Sequence, residues 1–550
     1  MSPNGKYKNE IDFILTNNRK VFKDVSTVGQ LNFHTDHRMI RTLLSGKQIQ
    51  KRRYIHNNNN KSAPIFTGNN DILLDNINNA LNRNLKINYK PIQERYENIL
   101  HILKTEVRKT NKQTENTLSL ETKQLINERK ELINKDKNKQ TRHKISELSK
   151  MISEHIRKDR KTKRQKTLKS FIEKTGGIKK ALKELNQKKI WMPNIKTKHG
   201  SSTSKRQEIL KIATDYYRIL YQRQKTVLVE KQKQITTTSE LVPIILQEEI
   251  TRAINTQKLD KAPGSDQISN ELLKYTAPAI APKLTELFND ILSTESIPID
   301  WTKSIIVLIH KKGDKGDMSN YRPISLMSNI YKIFTKIILS RITVTLDENQ
   351  PKEQAGFRSG FSTIDHIHVV RQVLQKYKEY NKNYYFGFVD FNKAFDSLDH
   401  DSIWRALESQ GVEAKYIRIL KNIYSKSTAQ VKLERTGEEF PIERGVRQGD
   451  PISPKLFSAV LEMVFRNLQW EGNGLNINGD KLNHLRFADD IVLFSENSDN
   501  MEDMLQHLSD ESAKVGLSMN TSKTKIMTNS TKKDIKIKIN GGHIKIEYVN

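Results

Sequence analysis

At 550 residues the chain is long enough for several domains, and its 35% hydrophobic content suffices for at least one real core. Lys+Arg 94 against Asp+Glu 63 gives a formal charge of +31 and a sequence pI near 9.7, which points to a polyanionic partner, most simply nucleic acid. The absence of cysteine excludes disulfides, thiolate zinc sites and cysteine nucleophiles, and no apolar run approaches the roughly 18 residues that span a bilayer, so the composition implies a soluble chain of cytoplasm or nucleus with no membrane partner.

In chain order, residues 1–50 mix the β-like runs "IDFILTN" and "VFKDVSTVG" with polar turns and end in "TDHRMIRTLL". A piece this short is expected to be the end of a larger domain. Residues 51–235 are basic and Asn-rich, and "HNNNNKSAP" at 56–64 reads as a linker. Beyond it Ile145, Leu148, Ile152 and Ile156 recur at helical spacing, followed directly by "RKDRKTKRQK". Between 101 and 170 there are 21 Lys+Arg against 9 Asp+Glu, a local excess of 12 positive charges. The reading is a basic helical arm with an apolar docking stripe.

From 236 to 550, strand-like runs ("SIIVLIHK", "YYFGFVDF", "LRFADDIVLF", "DIKIKING") alternate with amphipathic helical stretches at 364–379 and 454–468. This predicts an α/β (α+β) fold with an antiparallel hairpin at its centre. Within "LRFADDIVLFSE", a straight strand would send Asp489 and Asp490 to opposite faces and bury one carboxylate unpaired, at a cost of several kcal/mol. The economical alternative makes "LRFA" and "IVLFS" the arms of a hairpin with the two aspartates as its turn.

A second acidic strand end lies 99 residues earlier, where Asp390 follows Phe386 and Phe388 on one strand face. If the two strand ends are neighbours, Asp390, Asp489 and Asp490 form a hard-oxygen site suited to two Mg²⁺ ions, with Mn²⁺ as the alternative. Two such ions about 3.5–4 Å apart stabilise the attacking and leaving oxygens of an in-line phosphoryl transfer. A triphosphate substrate then needs cations, and "IHKKGDKGDMSNYRPISL" offers Lys311, Lys312 and Arg322 around a Gly-containing hairpin turn.

The ordered blocks "KAPGSDQISNELL" (261–273), "NYRPISL" (320–326), "QAGFRSGFSTIDHI" (354–367), "VDFNKAFD" (389–396), "RGVRQGDPISPKLF" (444–457), "FADDIVLF" (487–494) and "GLSMNTSKTKIM" (516–527) resemble the reverse transcriptase of non-LTR, LINE-like retrotransposons. The resemblance covers roughly 240–550 and implies the fingers and palm of a right-hand polymerase around a central antiparallel sheet. It implies that Asp390, Asp489 and Asp490 bind the metals and that Arg322, with Lys311 or Lys312, holds a deoxynucleoside triphosphate. It further implies that Phe395 lies under the sugar and excludes a 2′-hydroxyl, and that Gln448 packs near the nascent base pair. Gly449 beside it lets the backbone come close, and Lys523 or Lys525 protonates the pyrophosphate leaving group. The implied partners are an RNA template and a DNA primer or target, and the implied location is nucleus and cytoplasm, as a ribonucleoprotein.

The N-terminal "IDFILTN" and "TDHRMIR" are similar to the last strands of apurinic-endonuclease-like nucleases, with Asp12, Asp36 and His37 at the matching positions. "INGGHIKIEYVN" is similar to the opening of a primer-grip region, so the expectation is a polyprotein fragment that stops short of the thumb and cannot itself nick DNA. Two other functions compete with the polymerase: a group II intron-type reverse transcriptase, which would lack the "TDHR" segment, and a catalytically silent RNA-binding relic. If the arm at 101–170 binds RNA through phosphates, affinity will fall with salt on a log–log slope of about −0.7 per phosphate neutralised on single strands. Titrating the chain with RNA at several salt concentrations checks this, and a nearly flat dependence would place the arm at a protein interface.

Overall fold

The computed structural model describes residues 22–28, 39–44, 71–83, 91–111, 118–133, 139–175, 192, 194–197, 200–223 and 242–549 apart from 471 and 533. Contacts divide the chain into a unit over Met1–Ser62 and a unit over Ala63–Asn550. In the first, Phe22–Val28 and Met39–Leu44 pair as an antiparallel ladder with an irregularity between Phe22 and Asp24. The nuclease-like positions Asp12, Asp36 and His37 lie outside the described residues.

The α/β expectation is met in the second unit, where two sheets organise the helices. A five-stranded sheet runs in the order His484–Phe487, Asp490–Ser495, Tyr385–Val389, Lys525–Thr528, Lys545–Tyr548. Each of its first four strands is antiparallel to its neighbours among them, and the last is parallel to its neighbour. The acidic hairpin therefore forms one edge, and the strand Tyr385–Val389 takes the centre expected for the hairpin. The reason lies in that strand's faces: Tyr385, Phe386 and Val389 are all buried, so it needs a partner on each side and a layer on each face. Met501, Met504, Leu505 and Leu508 of the helix Ser498–Ala513 belong to the core that contains Tyr385 and Val389. Val373 and Tyr377 of the helix Thr363–Glu379 join Phe386 and Phe494 in a separate cluster. The run "DIKIKING" yields only the two-residue strand Lys538–Ile539.

The second sheet has the order Tyr321–Leu326, Lys303–His310, Thr428–Lys432, Thr436–Pro441. Lys303–His310 and Tyr321–Leu326 make the long hairpin expected around residues 311–320, with Ile309 opposite Arg322. The helix Arg206–Tyr221 lies on this sheet, and Ile209, Ala213 and Tyr217 share a core with Ile306, Val431 and Phe440.

Helices Asp71–Arg83 and Ile92–Asn111 are built into the main core rather than held beside it. Tyr96 meets Trp301 edge to face at 5.9 Å and shares a hydrogen bond of 3.0 Å with the Ser328 hydroxyl. Ile299 donates its backbone N–H to the Gln93 side chain at 2.8 Å. The basic segment proper forms a pair of packed helices, Leu120–Ile133 and Lys139–Thr175, with Leu148 and Ile152 of the expected stripe buried. Asp159 ties the start of the shorter helix to the longer one, accepting from the Ser119 backbone at 2.9 Å and the Thr122 hydroxyl at 2.8 Å.

One buried charge pair anchors the edge hairpin. Arg486, 1% exposed, donates to Glu462 at 2.8 Å on the helix Ser453–Arg466, and its guanidinium lies 4.0 Å from the centre of the Phe465 ring. Removing one partner of such a pair strands the other without compensation. Glu462→Ala is expected to lose about 3–5 kcal/mol of stability, read as a lower urea midpoint.

Candidate active site

The hairpin forms, but its turn sits one residue earlier than expected. Phe487 pairs with Asp490, so the two-residue loop is Ala488 and Asp489, and Asp490 is the first residue of the second arm. Ala488 adopts φ +59 and is buried, which lets a chain without glycine reverse within two residues. The turn is held from outside. The Gln354 side-chain carbonyl accepts the backbone N–H of Gly356 at 2.8 Å and of Ala488 at 3.3 Å. Arg486 and the 353–355 segment exchange backbone bonds of 2.8 and 3.0 Å. A side chain at Gly356 would put its Cβ 2.3 Å from the Ala488 nitrogen, so only glycine permits this approach.

The central strand brings the third carboxylate. Val389 faces Ile491, so Asp390 leaves the end of the central strand next to the start of the second arm, where Asp490 stands. The apolar face opens just before it, since Phe388 is 43% exposed. The segment 518–524 wraps the Asp390 backbone: Asn520 donates to its carbonyl at 2.7 Å, and its own N–H reaches the Thr524 hydroxyl at 3.3 Å. Lys523 contacts Asp390 Oδ2 at 3.3 Å, whereas Lys525 pairs with Glu547 at 2.8 Å, so the structure brings Lys523 to the carboxylates and Lys525 to another partner.

The charges are felt locally. Burial pushes the Asp489 carboxyl above its usual range, the neighbouring Asp490 and Asp390 push it further, and Lys311 opposes them. Among the described residues no three carboxylate or imidazole groups stand in a ready-made metal-holding arrangement. The donor chemistry nevertheless fits a hard divalent cation: Asp489 is raised by burial and further by Asp490 and Asp390, so the carboxylate oxygens here lack compensating positive charge. Asp390, Asp489 and Asp490 are the groups that would hold it.

Lys311 and Lys312 are exposed beyond the end of the strand Lys303–His310, and Arg322 is exposed on the returning strand. Phe395 sits in the short helix Ala394–Ser397, stacked on Phe457 at 4.5 Å and edge-on to Phe357 at 6.3 Å. Gln448 takes the Ser325 N–H on its backbone carbonyl at 2.8 Å, which ties "RQGDP" to "RPISL". Gly449 has φ +114, and a Cβ there would lie 3.0 Å from the Ser325 carbonyl.

Sequence reasoning did not single out Gln354, Gly356, Arg486 or Asp396. Asp396, 2% exposed, accepts Gln448 Nε2 at 2.9 Å on each carboxylate oxygen and the Tyr221 hydroxyl at 2.8 Å. Burial raises it to about 6, against the lowering effects of Tyr221 and Lys393. The available signal was a glycine and an amide inside a quoted block, and a carboxylate following an apolar pair; neither names its partner.

Comparison with known proteins agrees with this geometry. Residues 309–541 match the family model described as "Reverse transcriptase (RNA-dependent DNA polymerase)". The chain is 32% identical over 288 residues to the retrovirus-related Pol polyprotein from type-1 retrotransposable element R2 of Popillia japonica, covering 51% of this chain and 39% of that protein. It is 34% identical over 217 residues to the probable RNA-directed DNA polymerase from transposon X-element of Drosophila melanogaster, covering 38% and 23%. It is also 31% identical over 216 residues to the RNA-directed DNA polymerase from mobile element jockey of the same organism, again covering 38% and 23%. The segment that carries the acidic site thus matches the reverse transcriptase family. The relatives named belong to a retrotransposable element, a transposon and a mobile element, and the matched part spans less than half the length of each of these three proteins.

Gly356→Ala is expected to displace the acidic turn while leaving the helical content intact. Far-ultraviolet circular dichroism unchanged with primer extension reduced about tenfold or more checks this, on the scale of misplacing a reacting group by a fraction of an ångström.

Proposed function

We propose that this chain acts as an RNA-directed DNA polymerase of a non-LTR retrotransposon, copying the element's RNA into DNA from a nicked target primer. The observation that carries the reading is the meeting of Asp390 with Asp489 in the hairpin turn and Asp490 just after it, at one end of the five-stranded sheet and within electrostatic reach of Lys311. Bound divalent ions, Mg²⁺ or alternatively Mn²⁺, would supply charge stabilisation to the attacking and leaving oxygens. Asp390, Asp489 and Asp490 would hold them. Arg322 with Lys311 or Lys312 binds the triphosphate, and fork-like guanidinium contacts suit its oxygens. The contact between Lys523 and Asp390 favours Lys523 over Lys525 as the group that gives a proton to the pyrophosphate. Phe395 blocks a 2′-hydroxyl; its stacking on Phe457 limits the ring's freedom to yield. Gln448 and Gly449 line the nascent pair from the opposite loop.

In the same reading, residues 1–50 are the end of an apurinic-endonuclease-like domain with Asp12, Asp36 and His37 as its site. Residues 51–235 are linker and basic extension, and 236–550 are fingers and palm. The excess positive charge of the arm supports an RNA partner, and the location is a ribonucleoprotein of nucleus and cytoplasm.

Primer extension on poly(rA)/oligo(dT) with Mg²⁺ tests the polymerase, and absence of any extension would leave the RNA-binding relic. Asp489→Asn is expected to lower the rate on the order of a thousandfold, the equivalent of about 4 kcal/mol of lost transition-state stabilisation, with RNA affinity nearly unchanged. Phe395→Val is expected to raise ribonucleotide incorporation more than it lowers deoxynucleotide use, as read by competition between the two triphosphates; unchanged discrimination in an active variant assigns the gate elsewhere.

A further inference from the structure

The block "VDFNKAFD" contains a second aspartate that the metal site does not use. Asp396 is buried six residues after Asp390, directly beside Phe395. Two elements far apart in sequence converge on it: Tyr221, the last residue of the helix Arg206–Tyr221, and Gln448 of "RQGDP". The same helix grips Lys393, two residues before Phe395. The Lys393 ammonium bonds the Tyr216 hydroxyl and lies 4.4 Å from the centre of that ring and 5.8 Å from that of Tyr217. Lys393 is itself held at φ +47, a backbone conformation that side-chain-bearing residues rarely keep without support. Phe395 is thereby fixed between two residues that a helix outside the matched polymerase segment holds in place.

An ionised carboxylate accepts hydrogen bonds and donates none. With both its oxygens facing Gln448 Nε2, Asp396 dictates that the Gln448 amide turns its NH₂ inward and leaves its carbonyl as the other end. A neutral amide at 396 removes that constraint, because one of its two ends is itself a donor and the Gln448 amide would turn over to meet it. We propose that Asp396 is a positioning residue for the incoming nucleotide, which sets the orientation of the Gln448 amide, and that Tyr221 of the extension helix holds Asp396 in place for that task. This rests on the polymerase reading and adds to it: the extension helix becomes part of the nucleotide site.

The groups around Asp396 are Lys393 on its own segment, Tyr217 and Tyr221 on the extension helix, Arg322 on the fingers strand, and Arg444 and Gln448 on the facing loop. Asp317 and Tyr216 stand one step further out, Asp317 acting on both Lys393 and Tyr216, and Tyr216 also sensing Asp396. Burial lifts Asp396 to about 6. A carboxyl raised in the folded state contributes stability below its ordinary range and loses it as pH rises through the raised value. Ionised Asp396 is thus a cost to the fold at neutral pH, and a neutral replacement does not remove a stabilising charge.

The test is steady-state extension of oligo(dT) on poly(rA) by the full chain, with dTTP titrated from about pH 5 to about pH 8, alongside thermal melting. For Asp396→Asn and Tyr221→Phe, KM for dTTP is expected to rise about tenfold with kcat changed much less. The melting temperature of Asp396→Asn above neutral pH is expected to be unchanged or higher. In the unsubstituted chain KM should climb as pH falls through about 6, and that limb should vanish in Asp396→Asn, which separates it from any titration of Asp489. Variants that melt earlier and lose kcat at constant KM would show a purely structural Asp396 and overturn the proposal. So would an active chain whose variants keep the parent's KM and pH limb. An unsubstituted chain that extends no primer overturns the polymerase reading, and the positioning role with it.

Discussion

Burial at the end of the sheet raises the Asp489 carboxyl, and repulsion from Asp490 and Asp390 adds to that rise while Lys311 opposes it. A chain reversal bearing such a load would relax away from Asp390 if its own two loop residues were all that held it. The surrounding structure supplies the restraint. Gln354 bonds the Ala488 nitrogen, Gly356 lets its segment lie against the turn, and Arg486 fastens the first arm to the helix Ser453–Arg466 through Glu462. The hairpin lies at a sheet edge, where only one neighbouring strand fixes its register. This makes the bracing from 353–356 the substitute for a missing strand.

The same economy explains why buried polar groups cluster around the site. Arg486 keeps two of its guanidinium nitrogens without a hydrogen-bond partner. Asp450, fully buried and pushed up by that burial, is bonded by the Tyr331 hydroxyl. Arg447 reaches the Trp301 carbonyl at 2.8 Å and lies about as close to the Tyr331 ring as to the Tyr424 ring, 5.5 and 5.4 Å. Hydrophobic replacements of similar volume would stabilise a generic core at least as well. Arg447 and Asp450 flank Gln448 and Gly449, and their bonds to Trp301 and Tyr331 tie that loop to the core.

The region before the polymerase motifs is not one kind of structure. Its helices at 71–111 supply Leu73, Ile77, Tyr96 and Leu103 to the main core, and its helix at 206–221 closes the second sheet. Among the described residues of this region, the pair Leu120–Ile133 and Lys139–Thr175 keeps a largely exposed, basic surface. Charge and burial have been sorted onto different helices of one extension.

The order of the motif blocks and the strand-and-helix alternation from 236 onward were legible in the sequence, because alternation and period follow from which face of each element must be buried. The hairpin was legible for the same reason: two adjacent carboxylates cannot both ride a strand through a core. Its turn was not, because φ +59 at Ala488 is set by Gln354 and Gly356, which lie more than a hundred residues away. Strand order was equally hidden: the central strand and the edge hairpin carry similar apolar runs, and only the layers packed on Phe386 and Val389 distinguish them. Lys523 and Lys525 are interchangeable as letters. A wrap of backbone around Asp390 puts one beside the carboxylates, and a parallel strand carrying Glu547 takes the other. Local chemistry is written in the residues themselves, whereas partner choice for a buried polar group depends on which distant element reaches it, and that only the tertiary structure decided.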